Sequence, residues 1–195
     1  FDGILLSSGL EDSPEALKAL EDIAPILGST SEIIARVRDR RRFFESLERY
    51  GIPYPRTCPV SSPSEAARAA RELGYPIVAK ANGGFGGANV RLVRSEKGLA
   101  RILHAWGEIL VQKYVRGVAA STSIIGTSNG SVTLTVNRQL LGLRSLGSPS
   151  HFSYCGNIVP LDASEALLSR CVDVSARVAE AFGLVGSNGV DLVID

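Results

Sequence analysis

The chain has 195 residues, 45% of them hydrophobic and 21% charged, with a formal net charge of +1. It is long and apolar enough to bury a core of its own, and so small a net charge leaves no electrostatic footprint for nucleic acid or an acidic membrane. No apolar run approaches the roughly twenty residues needed to span a bilayer, and three scattered cysteines, Cys58, Cys155 and Cys171, indicate neither a disulfide framework nor a zinc site. A protein of the reducing cytoplasm is expected. The chain starts at Phe1 and holds no methionine, so a fragment, or a sequence with positions dropped, is expected.

Residues 1–7 read as a buried strand, Gly3-Ile-Leu-Leu, running into a Ser7-Ser8-Gly9 turn. Ser13 then caps a helix with Pro14 at its first position, Pro25 ends it, and Ile26-Leu-Gly28 is a short extended piece. This β-α-β order predicts the remnant of an α/β domain over 1–37. From Ser31 a single helix is expected to run to Tyr50, closed by Gly51. Five arginines lie between Arg36 and Arg42, and the interleaved Asp39, Glu45 and Glu48 make them a solvated face rather than a nucleic-acid patch. Ile52-Pro-Tyr-Pro55 is an extended linker.

Ser62-Pro63-Ser64-Glu65 has capping-box spacing and opens a helix that ends at Gly74. Tyr75-Pro-Ile-Val-Ala-Lys80 and Val90-Arg-Leu-Val93 flank a loop with glycines at 83, 84, 86 and 87 around Phe85. Two apolar runs joined by glycines predict an antiparallel hairpin whose backbone N–H groups can approach an anion, with Lys80 supplying charge. A Walker loop puts its lysine after the glycines and before a helix, and a dinucleotide fingerprint would need glycine where Asn89 stands. Both are excluded, and on this stretch alone a phosphate grip and an ordinary glycine-rich turn remain open. Ser95-Glu96 begins a helix to about Trp106, and the step from Glu108 into Ile109-Leu-Val-Gln-Lys is abrupt for a helix-to-strand connection.

Strands follow at 109–115, 121–126, 131–137 and 139–144, with Ser128-Asn129-Gly130 as a hairpin turn. A loop then carries His151 and Tyr154. Asp162 and Glu165 have capping-box spacing for a helix to Phe182, whose apolar stripe makes Cys171 a core residue. Val190-Asp191-Leu-Val-Ile194 is an apolar strand broken by one carboxylate.

In order and spacing these pieces resemble the ATP-grasp superfamily. The resemblance rests on Arg38-Asp39-Arg40, Gly51-Ile-Pro-Tyr-Pro55, Pro76-Ile-Val-Ala-Lys80 with Gly83–Gly87, Val111-Gln-Lys-Tyr-Val115 with Gly117, and Gly183 through Gly186 to Gly189-Val-Asp191. It implies an α+β fold of two subdomains gripping ATP: a small one at 38–115 with the glycine-rich lid, and a large one at 116–195. Lys80 then matches the lysine that contacts ATP phosphates, and Gly83, Gly84, Phe85, Gly86 and Gly87 match the lid. Arg40 stands where many members have lysine. Gln112, Lys113, Tyr114 and Val115 match the hinge that reads adenine, although most members have Glu at 112 and many have an acidic residue where this chain has Ala119. Asp191 matches the first Mg2+ position. The chemistry implied is ATP-dependent ligation of a carboxylate to an amine through an acyl phosphate. Arg138 or Arg144 would steady that intermediate, and His151 and Tyr154 would touch substrate. The opening 2–11, the run 117–123 and Tyr154–Pro160 look most like an archaeal and methylotroph group related to biotin carboxylase, which adds cofactor biosynthesis and a homodimer to the expectation. Bicarbonate activation and a non-catalytic nucleotide-binding module are the competing readings.

Overall fold

The computed structural model describes residues 2–7 and 9–195, so Phe1 and Ser8, the outer ends of the expected first strand and turn, lie outside the described residues. The chain divides into two compact units, one of Phe1–Pro53, Val118–Gln139 and Asn157–Ile194, the other of Tyr54–Gly117 and Leu140–Gly156 with Asp195.

The first unit opens with helices. Gly3-Ile-Leu-Leu does not form the buried strand expected of it: Ile4 makes one isolated parallel bridge to Ile26, and Leu5 is 78% exposed. A single bridge offers no sheet face to bury a strand against. Helix α1 (Pro14–Glu21) starts at Pro14 as expected, but the Ser13 hydroxyl makes no capping bond. The one helix expected from Ser31 to Tyr50 is two, α2 (Ser31–Arg38) and α3 (Arg40–Arg49). Asp39 divides them, because its ψ of 91° leaves the helical region and its carboxylate accepts from Arg42 N at 3.1 Å. A side chain that competes for backbone donors favours a new cap over helix continuation.

At the start of α2 the Glu21 carboxylate accepts from both Ser31 N and Ser31 Oγ at 2.6 Å, and these bonds pull its pKa down. A depressed folded-state pKa gives stabilisation that is present above the unfolded pKa and lost as pH falls through the folded one. Glu21→Gln is therefore expected to lower the melting temperature near neutral pH, with the gap from wild type closing below about pH 4. Thermal melts of both proteins over that range check it, and a gap that persists in acid would remove the charge from the explanation.

The second unit is built on an antiparallel sheet, β1 (Thr57–Val60), β2 (Ile77–Ala81), β3 (Val90–Val93) and β4 (Ile109–Lys113), in the order β1-β4-β2-β3. Helix α4 (Pro63–Leu73) has the expected cap: Ser62 Oγ accepts from Glu65 N at 3.3 Å, and Glu65 reaches back to Ser61 N at 2.8 Å. Helix α5 (Glu96–Trp106) reaches β4 through only two residues. Gly107, at φ +72°, donates to Leu103 O and reverses the chain there. Val60, Ile77, Ala79, Val93, Leu99, Leu103, Ile109 and Val111 form one buried cluster with alanines of α4.

The first unit is completed by β5 (Val118–Thr127), β6 (Gly130–Leu141) as far as Gln139, α6 (Glu165–Phe182) and β8 (Gly186–Ile194); with β7 (Tyr154–Ile158), whose first three residues belong to the second unit, the strand order is β7-β6-β5-β8. Ser128-Asn129 makes the expected hairpin turn. No separate strand covers 139–144: β6 continues to Leu141, and Arg144–Leu146 is a 3-10 turn. Strand β7 lies where a loop is expected. Helix α6 is capped by Ser164, which accepts from Leu167 N at 3.4 Å, and not by Asp162. Leu161 N donates to Val136 O at 2.7 Å, which keeps the chain extended past Asp162. Cys171 is buried on α6 as the apolar stripe predicts, with Val178 and Phe182. Among the described residues no helix is long and apolar enough to cross a membrane.

Candidate active site

Strand alternation gives β2 two distinct faces. Ile77 and Ala79 join the core against the helices, and Val78 and Lys80 point the other way. Val90 and Leu110 stand opposite Lys80, while Leu92 and Gln112 stand opposite Val78, so all six side chains share that face. It is apolar apart from a cation toward one end and an amide toward the other. Two residues along and one strand over, Lys80 and Gln112 are roughly 8 Å apart by strand geometry, a span of the order that separates a purine edge from its first phosphate.

Gln112 is 6% exposed, and its Nε2 donates to Thr57 Oγ1 at 2.7 Å and reaches Pro55 O at 3.5 Å. Lys113 N donates to Arg56 O at 2.9 Å, while Tyr114 and Val115 are half-buried as the strand runs out. The hinge residues expected from the sequence are thus contiguous with the face that carries Lys80.

The glycine loop between β2 and β3 is closed by Ala88 N to Phe85 O, Val90 N to Gly87 O and Ala81 N to Asn89 O. Phe85 is 77% exposed at its tip. The loop packs on the segment that carries the two expected substrate residues: Tyr154 N donates to Gly86 O at 3.0 Å, and a β-carbon at Gly87 would fall 1.9 Å from Phe152 O. His151 lines a cavity of about 420 Å³ with Tyr75, Pro76, Leu92, Arg94, Tyr114 and Arg116. Arg144 is exposed in its 3-10 turn. The second unit therefore gathers Lys80, the glycine loop, residues 112–115, His151 and Tyr154.

In the first unit, Asp191 on β8 stands opposite Ser121 on β5, and Asn137 on β6 stands opposite the same serine. Gln139 Nε2 donates to Asp191 Oδ1 at 2.7 Å, so one partner of this carboxylate is an amide on β6. Ala120 and Val136 face the helix core with Cys171, which puts Asp191, Asn137 and Gln139 on the opposite face. Arg138 is opposite Ala120, and so alternation turns it away from the face that holds Asp191. Asn137 and Gln139 went unsingled in the sequence, where their alternation about Arg138 in an apolar run was the available signal. Asn137 is 2% exposed, its Nδ2 donates to Ser123 Oγ at 3.2 Å, and its Oδ1 has no hydrogen-bond partner among the described residues.

Arg40, the first residue of α3, has a guanidinium whose pKa is pushed down chiefly by burial and further by Arg38, against the opposing charge of Asp12. Arg38 is ion-paired with Asp12. Arginine stays protonated through such shifts, so a half-buried positive charge persists at 40.

The ATP-grasp domain family matches residues 37–195. The chain belongs to the ATP-grasp family. Its helices and two antiparallel sheets make the α+β fold the resemblance implied. The carbamoyl phosphate synthase large chain of Hyperthermus butylicus is 29% identical over 180 residues, covering 87% of this chain and 16% of that protein. In structure the chain is similar to biotin carboxylase of Campylobacter jejuni, with a TM-score of 0.85 at 20% identity over 100% of this chain and 46% of that one. The biotin carboxylase domain of Hydrogenobacter thermophilus 2-oxoglutarate carboxylase, a dimer solved with MgADP and bicarbonate, gives 0.83 at 20% identity over 100% and 45%. The chain thus spans less than half of each of these relatives.

Proposed function

We propose that this chain is the nucleotide-gripping part of an ATP-dependent carboxylate-amine ligase. One observation carries the reading: Lys80 and Gln112 share one face of one sheet at a spacing that suits a nucleotide, and the glycine loop follows directly on the strand that bears Lys80. Family membership supplies the context, and the likeness of 117–123 and 154–160 to the archaeal and methylotroph group supports cofactor biosynthesis as its setting.

The reaction has two steps. A substrate carboxylate oxygen attacks the γ-phosphorus of ATP and expels ADP, forming an acyl phosphate. An amine then attacks the acyl carbon, phosphate leaves, and the ammonium nitrogen gives up a proton. Both steps concentrate negative charge on phosphoryl oxygens, so preorganised cations and N–H donors lower the barrier. Lys80 supplies the ammonium, the glycine loop supplies backbone donors, and Arg40 supplies a half-buried guanidinium. The oxygen donors on the face of Asp191 fit a hard cation, with the orphaned Oδ1 of Asn137 on the same face. Bound there, Mg2+ would neutralise phosphate charge. Arg138 is left out of this reading because of the face it occupies. His151 and Tyr154 remain the substrate contacts in it. A homodimer fits the state of the Hydrogenobacter thermophilus domain.

Bicarbonate as the acid is favoured by one specific finding, the likeness to a biotin carboxylase domain solved with MgADP and bicarbonate. ADP release by the full-length protein with MgATP, measured across organic acid and amine pairs and with bicarbonate, tests both readings. An organic pair that stimulates release supports the proposal. Stimulation by bicarbonate alone replaces it with the second reading, and MgATP binding without any stimulation overturns both.

A further inference from the structure

The hydrogen bonds beneath the hinge bear on which base it accepts. A proline carbonyl can only accept. Thr57 Oγ1 lies 2.7 Å from Pro55 O, so the threonine hydrogen is spent on that carbonyl. The hydroxyl oxygen then faces Gln112 as an acceptor, and the amide atom 2.7 Å from it must be the donor, Nε2. The same atom is 3.5 Å from Pro55 O, where an amide oxygen would set acceptor against acceptor. Both neighbours therefore demand one orientation. The amide hydrogens point inward, and the Gln112 carbonyl oxygen is the atom presented to a ligand.

We infer that Thr57 is a positioning residue for nucleotide selection: by fixing the Gln112 amide it makes the hinge accept a 6-amino purine and reject a 6-keto one. An exocyclic amino group donates to Gln112 Oε1, whereas a keto oxygen at the same place meets a second acceptor and leaves both unpaired. A site built to pair one polar group rejects its inverse more strongly than it rewards the match. The glutamine thus keeps the acceptor that glutamate provides in most of the superfamily, and it owes that to a threonine 55 residues earlier in the chain.

This inference rests on the proposed binding of ATP at the hinge. Calorimetric affinities of the full-length protein for ATP and ITP, which differ in the 6-substituent and in the proton that the keto form carries on N1, test it. Wild type should prefer ATP by about tenfold or more. Thr57→Val leaves the amide held only at 3.5 Å and should bring the preference to within a few-fold, mostly by tighter ITP binding, while Thr57→Ser restores it. Gln112→Leu should lower the preference at least as far as Thr57→Val does, and adding Thr57→Val to Gln112→Leu should change nothing further, an outcome a merely structural role for Thr57 would not give. Equal wild-type affinity for the two nucleotides, or an unchanged preference in a folded Thr57→Val protein, would overturn the inference with ATP binding intact. Failure of wild type to bind either nucleotide would instead bring down the reading on which it rests.

Discussion

Lys80→Ala is expected to lower kcat/KM for ATP by about a hundredfold to a thousandfold, the cost usual for losing one preorganised charge donor, with little change in melting temperature. Lys80 occupies an inner strand, flanked by β3 and β4, so its backbone is fixed by two ladders and its stem stands on Val90 and Leu110. A side chain held that way reaches its partner with little further loss of rotamer entropy. The residue points away from the buried cluster of Ile77 and Ala79, so its loss opens no cavity there. Lys80→Met keeps the stem and removes the charge, and it should match Lys80→Ala in activity. Lys80→Arg should recover part of the loss. Steady-state ADP release with thermal melts for all three variants checks the assignment, and Lys80→Met with wild-type kinetics would refute it.

The parts of this site that the sequence revealed are those set by local chemistry. A lysine two residues into the same strand face as an apolar neighbour, glycines before the next apolar run, and the Ser62-Pro63 cap all act within a few residues of themselves, and each appears where expected. Asp39 was also local, but two outcomes were physically close: arginines on both sides favour helix, and an aspartate that caps Arg42 N breaks it. What stayed hidden depends on partners far away in the chain. Thr57 follows a proline linker and carries no motif, and only the β1–β4 register sets it against Gln112. The misplacement of Arg138 has a similar origin. Its charge was visible in sequence, but its face is decided by pairing with Ala120, which a bulge at Ser123/Ile124 shifts in register. Strand β7 escaped notice because its five residues Tyr-Cys-Gly-Asn-Ile hold a glycine and an asparagine, both poor strand formers, and its one neighbour, β6, imposes the extended form.

Gly87→Ala should impair the enzyme more than any other change in the glycine loop. Two separate costs meet at this position. Its φ of +79° disfavours any β-carbon by about 1–2 kcal/mol, and the added carbon would overlap Phe152 O at 1.9 Å. A backbone oxygen yields only if its segment moves, and this segment is tied down. Gly142 N donates to Ser153 O at 2.8 Å, the hydroxyls of Ser150 and Ser153 are 2.7 Å apart, and Ser148 Oγ donates to Ser150 O at 2.8 Å. The alanine is therefore accommodated by parting the glycine loop from residues 152–154, which breaks the Tyr154 N to Gly86 O bond and releases His151 and Tyr154 together. Gly86→Ala separates the two costs, since φ at 86 is +59° but nothing lies within 4 Å of the new carbon. We expect Gly86→Ala to raise KM for ATP a few-fold and Gly87→Ala to lower kcat/KM by about a hundredfold, in line with a small displacement of substrate-positioning groups. Limited proteolysis should cut Gly87→Ala faster between 148 and 156 than either wild type or Gly86→Ala. Equal kinetics and equal proteolysis for the two variants would show that the packed loops do not act together, and that backbone strain alone accounts for the glycine at 87.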